Sequence, residues 1–325
     1  MTEMILRDAM TKALKEALDE DDRVFLMGED IGSYGGAYAV TKNLLSEYGE
    51  ERIRDTPISE SVFVGAGTGS AMIGLRPIIE IMTINFSLVA IDQIVNHAAK
   101  LSYMSNGQFS VPMIIRTVTG GGGQLAATHS QSFENWYASV PGLRVVVPSN
   151  PYDALGLFRT CRKDNNPIIF AEHAMLYREK GEVPEEYYEI PLGKARIVKP
   201  GKDLTLIAYS GMVRVAEEAA NILDSYHVST EIIDLRTLSP LDLDTIITSV
   251  KKTNRAVVIE ETWKTGGFSG TIASDIQEAA FDDLDGPVLR INAPDVSAPY
   301  ARNIEQLMIP NASWVVDKVK YNFGI

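Results

Sequence analysis

Apolar residues recur along this chain with two different periods, and the switches between them mark out its elements. Ile5, Leu6, Ala9, Leu14, Ala17 and Leu18 fall on one stripe of a helix, whereas Val24-Phe25-Leu26-Met27 is an apolar run of strand length. Read this way, the first half predicts strands at 23–27, 77–82, 111–117, 143–147 and 167–171, separated by helices at 5–18, 60–74, 87–104, 131–139 and 151–164. From Arg178 to Pro200 the pattern lapses into charges and prolines with no sustained period, which reads as a connection between domains. A second alternating series follows, with strands at 204–209, 229–235, 256–260 and 287–292, helices at 213–224, 242–252 and 268–281, and one or two terminal helices. Such alternation predicts an α/β fold of two doubly wound domains, spanning 1–185 and 201–325 and joined by a linker at 186–200.

Composition changes this picture little. A chain of 325 residues with 45% apolar content can bury two cores. No apolar run approaches the roughly 18 to 20 residues that cross a bilayer. The acid-rich, amphipathic N-terminus argues against a targeting peptide. A net charge of −13 makes nucleic acid a poor partner and would suit a basic protein. The single cysteine, Cys161, rules out an intrachain disulfide, points to a reducing, cytoplasmic location and reads as a packing residue on a helix.

Candidate chemistry starts at Asp55-Thr-Pro-Ile-Ser-Glu60. Glu60 stands at the mouth of a helix whose next residues, Val62 to Gly74, carry no charge. Ser59 is the expected N-cap, and Pro57 keeps the residue before it extended. The carboxylate could simply complement the helix dipole. Yet Gly65, Gly67 and Gly69 each cost a helix roughly 0.8–1 kcal/mol relative to alanine, which suggests close approach of a backbone or ligand. Gly65, Gly69 and Gly74, about a turn apart, are the expected contact face. Thr119-Gly-Gly-Gly-Gly-Gln124 reads as a flexible loop, and since no Lys-Ser or Lys-Thr follows, it is not a P-loop. Of the four histidines, His97, His173 and His227 read as structural, whereas His129 follows the glycine loop, where function concentrates.

These segments belong to a longer series: Val24 to Asp30, Asp55 to Glu60, Gly74-Leu75-Arg76-Pro77, Asn85-Phe86, Thr128 to Ser132, Pro141-Gly142-Leu143, Asp234 to Asp242, and Glu260 to Gly267. In that order and spacing the chain resembles the beta subunits of thiamine-diphosphate-dependent 2-oxo acid dehydrogenases, and is most similar to the pyruvate type. The resemblance implies an N-terminal thiamine-pyrimidine-binding domain and a C-terminal transketolase-like domain. With an alpha subunit, such a protein decarboxylates a 2-oxo acid, here pyruvate, and reductively acylates a lipoyl domain. Acetoin or branched-chain 2-oxo acid dehydrogenases are alternatives, and so is a non-catalytic scaffold that keeps the fold.

Residue by residue, the resemblance makes Glu60 the carboxyl that shares a proton with the cofactor's aminopyrimidine, a role that calls for partial burial. Phe86 would pack against that ring. His129 would help pass the acyl group to a lipoyl sulfur. The bend Asp164-Asn165-Asn166-Pro167 reads first as turn chemistry. In relatives it binds a monovalent cation such as K+, which makes Asp164 and Asn166, with backbone groups of Met113 and Cys161, candidate ligands. The cofactor diphosphate and its Mg2+ are held in the family by a Gly-Asp-Gly motif of the alpha subunit, and this sequence has none. An alpha-two, beta-two heterotetramer is therefore expected. Docking to the lipoyl-bearing acyltransferase core is expected through the C-terminal domain, where Asp282, Asp283, Asp285 and Asp295 could face a basic partner.

Overall fold

The computed structural model describes residues 1–324, which fall into two compact units. The first comprises Met1–Thr119 and Trp136–Leu192; the second comprises Gly120–Asn135 and the chain from Gly193 onward.

The first unit is built on parallel strands in the order Arg144–Val146, Ile168–His173, Ile114–Thr119, Arg76–Ile81, Val24–Gly28 and Ile53–Asp55. Side chains alternate between faces along each strand. Ile78, Ile114, Ile168 and Phe170 therefore join one core with the helices Leu6–Glu20 and Pro151–Cys161. On the other face, Ile79 meets the helix Glu60–Met72, where a side-chain carbon added at Gly67 would stand 2.7 Å from the Ile79 Cδ1. Local signals set the helix starts: Pro151 occupies the first turn, and the Asn150 side chain caps it by accepting from the Asp153 N–H at 2.9 Å.

In the second unit the sheet order is Leu289–Ala293, Ala256–Trp263, Leu204–Ala208, Thr230–Asp234 and Arg196–Lys199, parallel except for the last strand. Helices Met212–Asp224 and Ala312–Phe323 share a core with Leu204, Leu206 and Ala208. The helix Leu243–Thr253 covers the other face, where the Thr205 hydroxyl bonds those of Ser249 and Thr253 at 2.7 Å each.

Two expectations are corrected here. The stretch from Arg178 to Pro200 holds two strands, Lys180–Val183 and Arg196–Lys199, the former pairing antiparallel with Thr2–Ile5. Both are short and carry charged residues, so they lack the apolar signature of an inner strand. The helix expected at 87–104 is three pieces instead: a 3-10 turn Ile84–Leu88, a π-helical turn Gln93–Ala98 and a single α-turn Leu101–Met104. The Thr83 and Ser87 hydroxyls bond local backbone there and compete with a regular ladder. No helix among the described residues is long and apolar enough to cross a membrane.

Candidate active site

Parallel strands place all their C-terminal ends on one edge of a sheet, where α/β proteins gather ligand-binding groups. In the first unit Gly28, Asp55 and Ile81 end neighbouring strands, and Glu29, Glu60 and Phe86 follow them. Glu60 opens the helix Glu60–Met72 and is 5% exposed. Neither an ion pair nor a hydrogen bond reaches its carboxylate among the described residues. Ser59 sits at the N-cap position but does not cap: its hydroxyl donates to the Pro57 carbonyl at 3.2 Å. The Val62 and Phe63 N–H groups of the first turn donate instead to the Ser59 carbonyl, at 2.8 and 3.1 Å.

Glu29, to which the sequence assigns no role, lies at the same strand edge. It is buried, and its Oε1 has no hydrogen-bond partner. Burial first, and then the negative charge of Glu60, push its carboxyl above the usual range. Beneath the same edge, the fully buried Arg116 is clamped between Glu80 and Glu172, with Tyr177 donating to Glu172 at 2.9 Å and Arg116 Nη2 donating to Glu172 at 2.8 Å. Desolvation holds the Glu80 carboxyl above its ordinary value against the pull of Arg116. Alternating strand positions put Glu80, Arg116 and Glu172 on the face of Ile78, Ile114 and Phe170, but no local pattern announces that they meet.

Phe86 is half-buried on the turn Ile84–Leu88. Asn85 next to it is buried and bonds Thr83, and Ser87 bonds the Tyr137 hydroxyl, so the turn that presents Phe86 is fixed on both sides.

His129 belongs to the second unit. Its ring is exposed, and Nδ1 lies 2.9 Å from the Thr128 hydroxyl. The glycine loop before it is tied down rather than loose. Gly121 N–H donates to Glu261 at 2.6 Å, while Gly122 and Gln124 N–H donate to Glu305 at 3.1 Å and 3.1–3.2 Å. Gly120, Gly122, Gln124 and Ala126 all have positive φ, which turns successive N–H groups inward. For Gln124 and Ala126 this conformation costs about 1–2 kcal/mol each, which the anchoring bonds offset. Glu261 and Glu305 lie some 140 and 180 residues beyond the loop, so nothing local in the sequence points to them.

The four cation candidates lie in the first unit, around the end of the helix Pro151–Cys161. The Asp164 carboxylate accepts from the Asn166 backbone N–H at 2.9 Å and amide at 2.6 Å, and pairs with Arg144 at 2.5 Å. Arg76 donates to the Asp164 carbonyl at 3.0 Å, the Met113 carbonyl accepts from Ile168, and the Cys161 carbonyl accepts from Asp164. Two guanidinium groups thus already serve this bend. Cys161 is buried, and burial pushes its thiol up, away from the thiolate. His173 is buried, with Nδ1 accepting from the Met175 N–H at 3.2 Å.

Comparison with known proteins matches residues 2–180 to the model described as "Transketolase, pyrimidine binding domain" and residues 193–315 to "Transketolase, C-terminal domain". The chain is similar to the pyruvate dehydrogenase E1 component subunit beta of Rickettsia felis, at 45% identity over 98% of both chains. It is similar also to the mitochondrial subunit beta-2 of Oryza sativa, at 46% identity over 98% of this chain and 86% of that one. Among solved structures, a split-gene transketolase described as an inactive beta4 tetramer matches 98% of both chains with a TM-score of 0.78 at 21% identity, a likeness of fold alone.

Proposed function

The chain belongs to the family of pyruvate dehydrogenase E1 beta subunits, and from that premise we propose that it works with an alpha subunit to decarboxylate pyruvate with thiamine diphosphate and to acetylate a lipoyl group reductively. The observation that carries this reading is Glu60, a buried carboxylate without an internal partner at the C-terminal edge of a pyrimidine-binding domain. The orphaned Glu29 Oε1 beside it supports a polar group being received there.

Bound thiamine diphosphate supplies a nucleophilic carbon and an aminopyrimidine that can serve as its internal base. The chain's own residues do the rest. With the cofactor bound, Glu60 would exchange a proton with the pyrimidine ring nitrogen, and its burial would keep that exchange away from water. Glu29, its carboxyl raised by burial and then by the charge of Glu60, takes up a proton more readily than an ordinary carboxylate and adds a second acid beside Glu60. Phe86, on its fixed turn, offers a flat apolar surface to the ring. His129, exposed on an anchored loop, donates a hydrogen bond during acyl transfer. Mg2+ falls to the alpha subunit, in line with the missing Gly-Asp-Gly motif. The Asp164 bend is proposed as a K+ site with the carbonyls of Met113 and Cys161 and with Asn166; Arg144 must then share the carboxylate.

We assign the assembly as an alpha-two, beta-two heterotetramer in the cytoplasm that docks to a lipoyl-bearing acyltransferase core through the second unit. The test is co-expression with the neighbouring gene. Thiamine- and lipoyl-dependent pyruvate decarboxylation by the pair, and by neither protein alone, is expected; a pair active only on acetoin or branched-chain 2-oxo acids would overturn the assignment to pyruvate.

A further inference from the structure

The glycine loop ahead of His129 has the geometry of an anion-binding nest, and its anion is already in place. Left-handed conformations at Gly120, Gly122, Gln124 and Ala126 turn backbone N–H groups to one side. The groups that fill this concavity are the carboxylates of Glu305, 1% exposed, and Glu261. Glu305 ends the short helix Arg302–Glu305, and its own backbone carbonyl accepts from Met308 at 2.9 Å and Ile309 at 3.3 Å. Ile309 in turn packs at Gly121, where an added side-chain carbon would lie 3.5 Å from the Ile309 Cδ1. Downstream of His129 the segment is pinned again: Thr262 donates to the Ser132 carbonyl at 2.9 Å, Asn135 donates to the Gly266 carbonyl at 2.9 Å, and the Phe133 and Trp263 rings sit 6.0 Å apart. His129 therefore stands on a bridge between two anchors, and carboxylates hold the upstream one.

We propose that Glu305 is a positioning residue for His129. Its buried carboxylate holds the glycine loop in the one conformation that presents the imidazole for acyl transfer. The inference rests on the acyl-transfer role given to His129 above. It follows that the C-terminal segment 301–309 contributes to catalysis without touching substrate. A carboxylate is required because three N–H···O contacts converge on its two oxygens. A glutamine would present an NH2 group to one of those donors, and an alanine would leave all of them unmet.

The test uses the full chain assembled with its alpha partner and compares wild type, Glu305→Ala, Glu305→Gln, His129→Ala and the double variant Glu305→Ala/His129→Ala. Two rates are read for each: acylation of a lipoyl domain, and pyruvate oxidation with an artificial electron acceptor. Hydrogen exchange of the peptide covering 120–129 is followed alongside. The ratio of acylation to artificial-acceptor turnover should fall at least about tenfold in Glu305→Ala and less in Glu305→Gln. Loop exchange should accelerate by a similar factor. Adding Glu305→Ala to His129→Ala should lower the ratio no further, because residues acting through one group are not additive. Unchanged loop exchange, or a full extra loss in the double variant, overturns the proposal. Should Glu305→Ala fail to fold, Glu305→Gln carries the same readings. If His129→Ala alone leaves the ratio untouched, the role of His129 is what fails, and loop exchange still decides whether Glu305 holds the loop.

Discussion

A carboxylate without a counter-charge is a costly thing to bury, and Glu60 is therefore the residue on which the chemistry turns. Replacing it with glutamine keeps the volume and removes the charge, so the fold should persist while proton exchange at the thiazolium carbon of the assembled enzyme falls by at least about a hundredfold. Exchange at the wild-type rate in Glu60→Gln, measured by deuterium incorporation, would deny the residue its role. Glu60 was legible in the sequence because its whole context is local: an acid at a helix mouth, then a dozen uncharged positions. Glu29 and Glu305 were not. Glu29 owes its character to burial and then to Glu60, and Glu305 to a loop 183 residues away, none of which their neighbours in sequence announce.

Elements follow the same division. The helix Leu6–Glu20 and the inner strands could be read from periodicity, since packing against one core enforces one period. The broken run Ile84–Met104 could not, because hydroxyl-to-backbone bonds, invisible to hydropathy, decide its geometry. Equally silent is the cross-strand cluster of Glu80, Arg116 and Glu172 that lies beneath the candidate site. Arg116→Met should destabilise the first unit by about 3–5 kcal/mol near neutral pH, since two buried carboxylates lose their cation. Glu80, already raised by desolvation, then loses the cation that pulls its pKa down, so it rises further above an unfolded value of about 4.3 and the folded chain binds more protons than the unfolded one. The variant's stability should therefore fall as pH rises from about 4.3 through the raised folded value, and its deficit against wild type should shrink toward acid. A deficit that does not change with pH in urea melts would mean that the carboxylates are not what Arg116 compensates.

At the scale of the whole molecule, the surface of the helix Glu60–Met72 shows what the chain leaves unfinished. Ile58, Val62 and Ile73 are 87%, 69% and 81% exposed, and a side-chain carbon at Gly69 would meet nothing within 4 Å. Of the glycines expected to form a contact face, Gly69 is open, whereas a side-chain carbon at Gly65 would lie 3.0 Å from the Gln93 Oε1. Gly74 follows the helix in a left-handed conformation, while Gly67 packs inward against Ile79 and Met113. Gly69→Leu should then have opposite effects on two quantities. The isolated chain should gain up to about 1 kcal/mol from better helix propensity. Association with the alpha subunit should weaken by about 1–3 kcal/mol from overpacking, as read by sedimentation. Unweakened association would place the partner elsewhere. Behind this prediction lies the central claim, a cofactor site of which this chain supplies only the pyrimidine side. Calorimetric titration of thiamine diphosphate and Mg2+ tests it most directly, on the isolated chain and on the chain paired with its alpha subunit. Saturable binding by the pair, and none by the chain alone at the same concentrations, is the predicted result; full affinity in the isolated chain would contradict it.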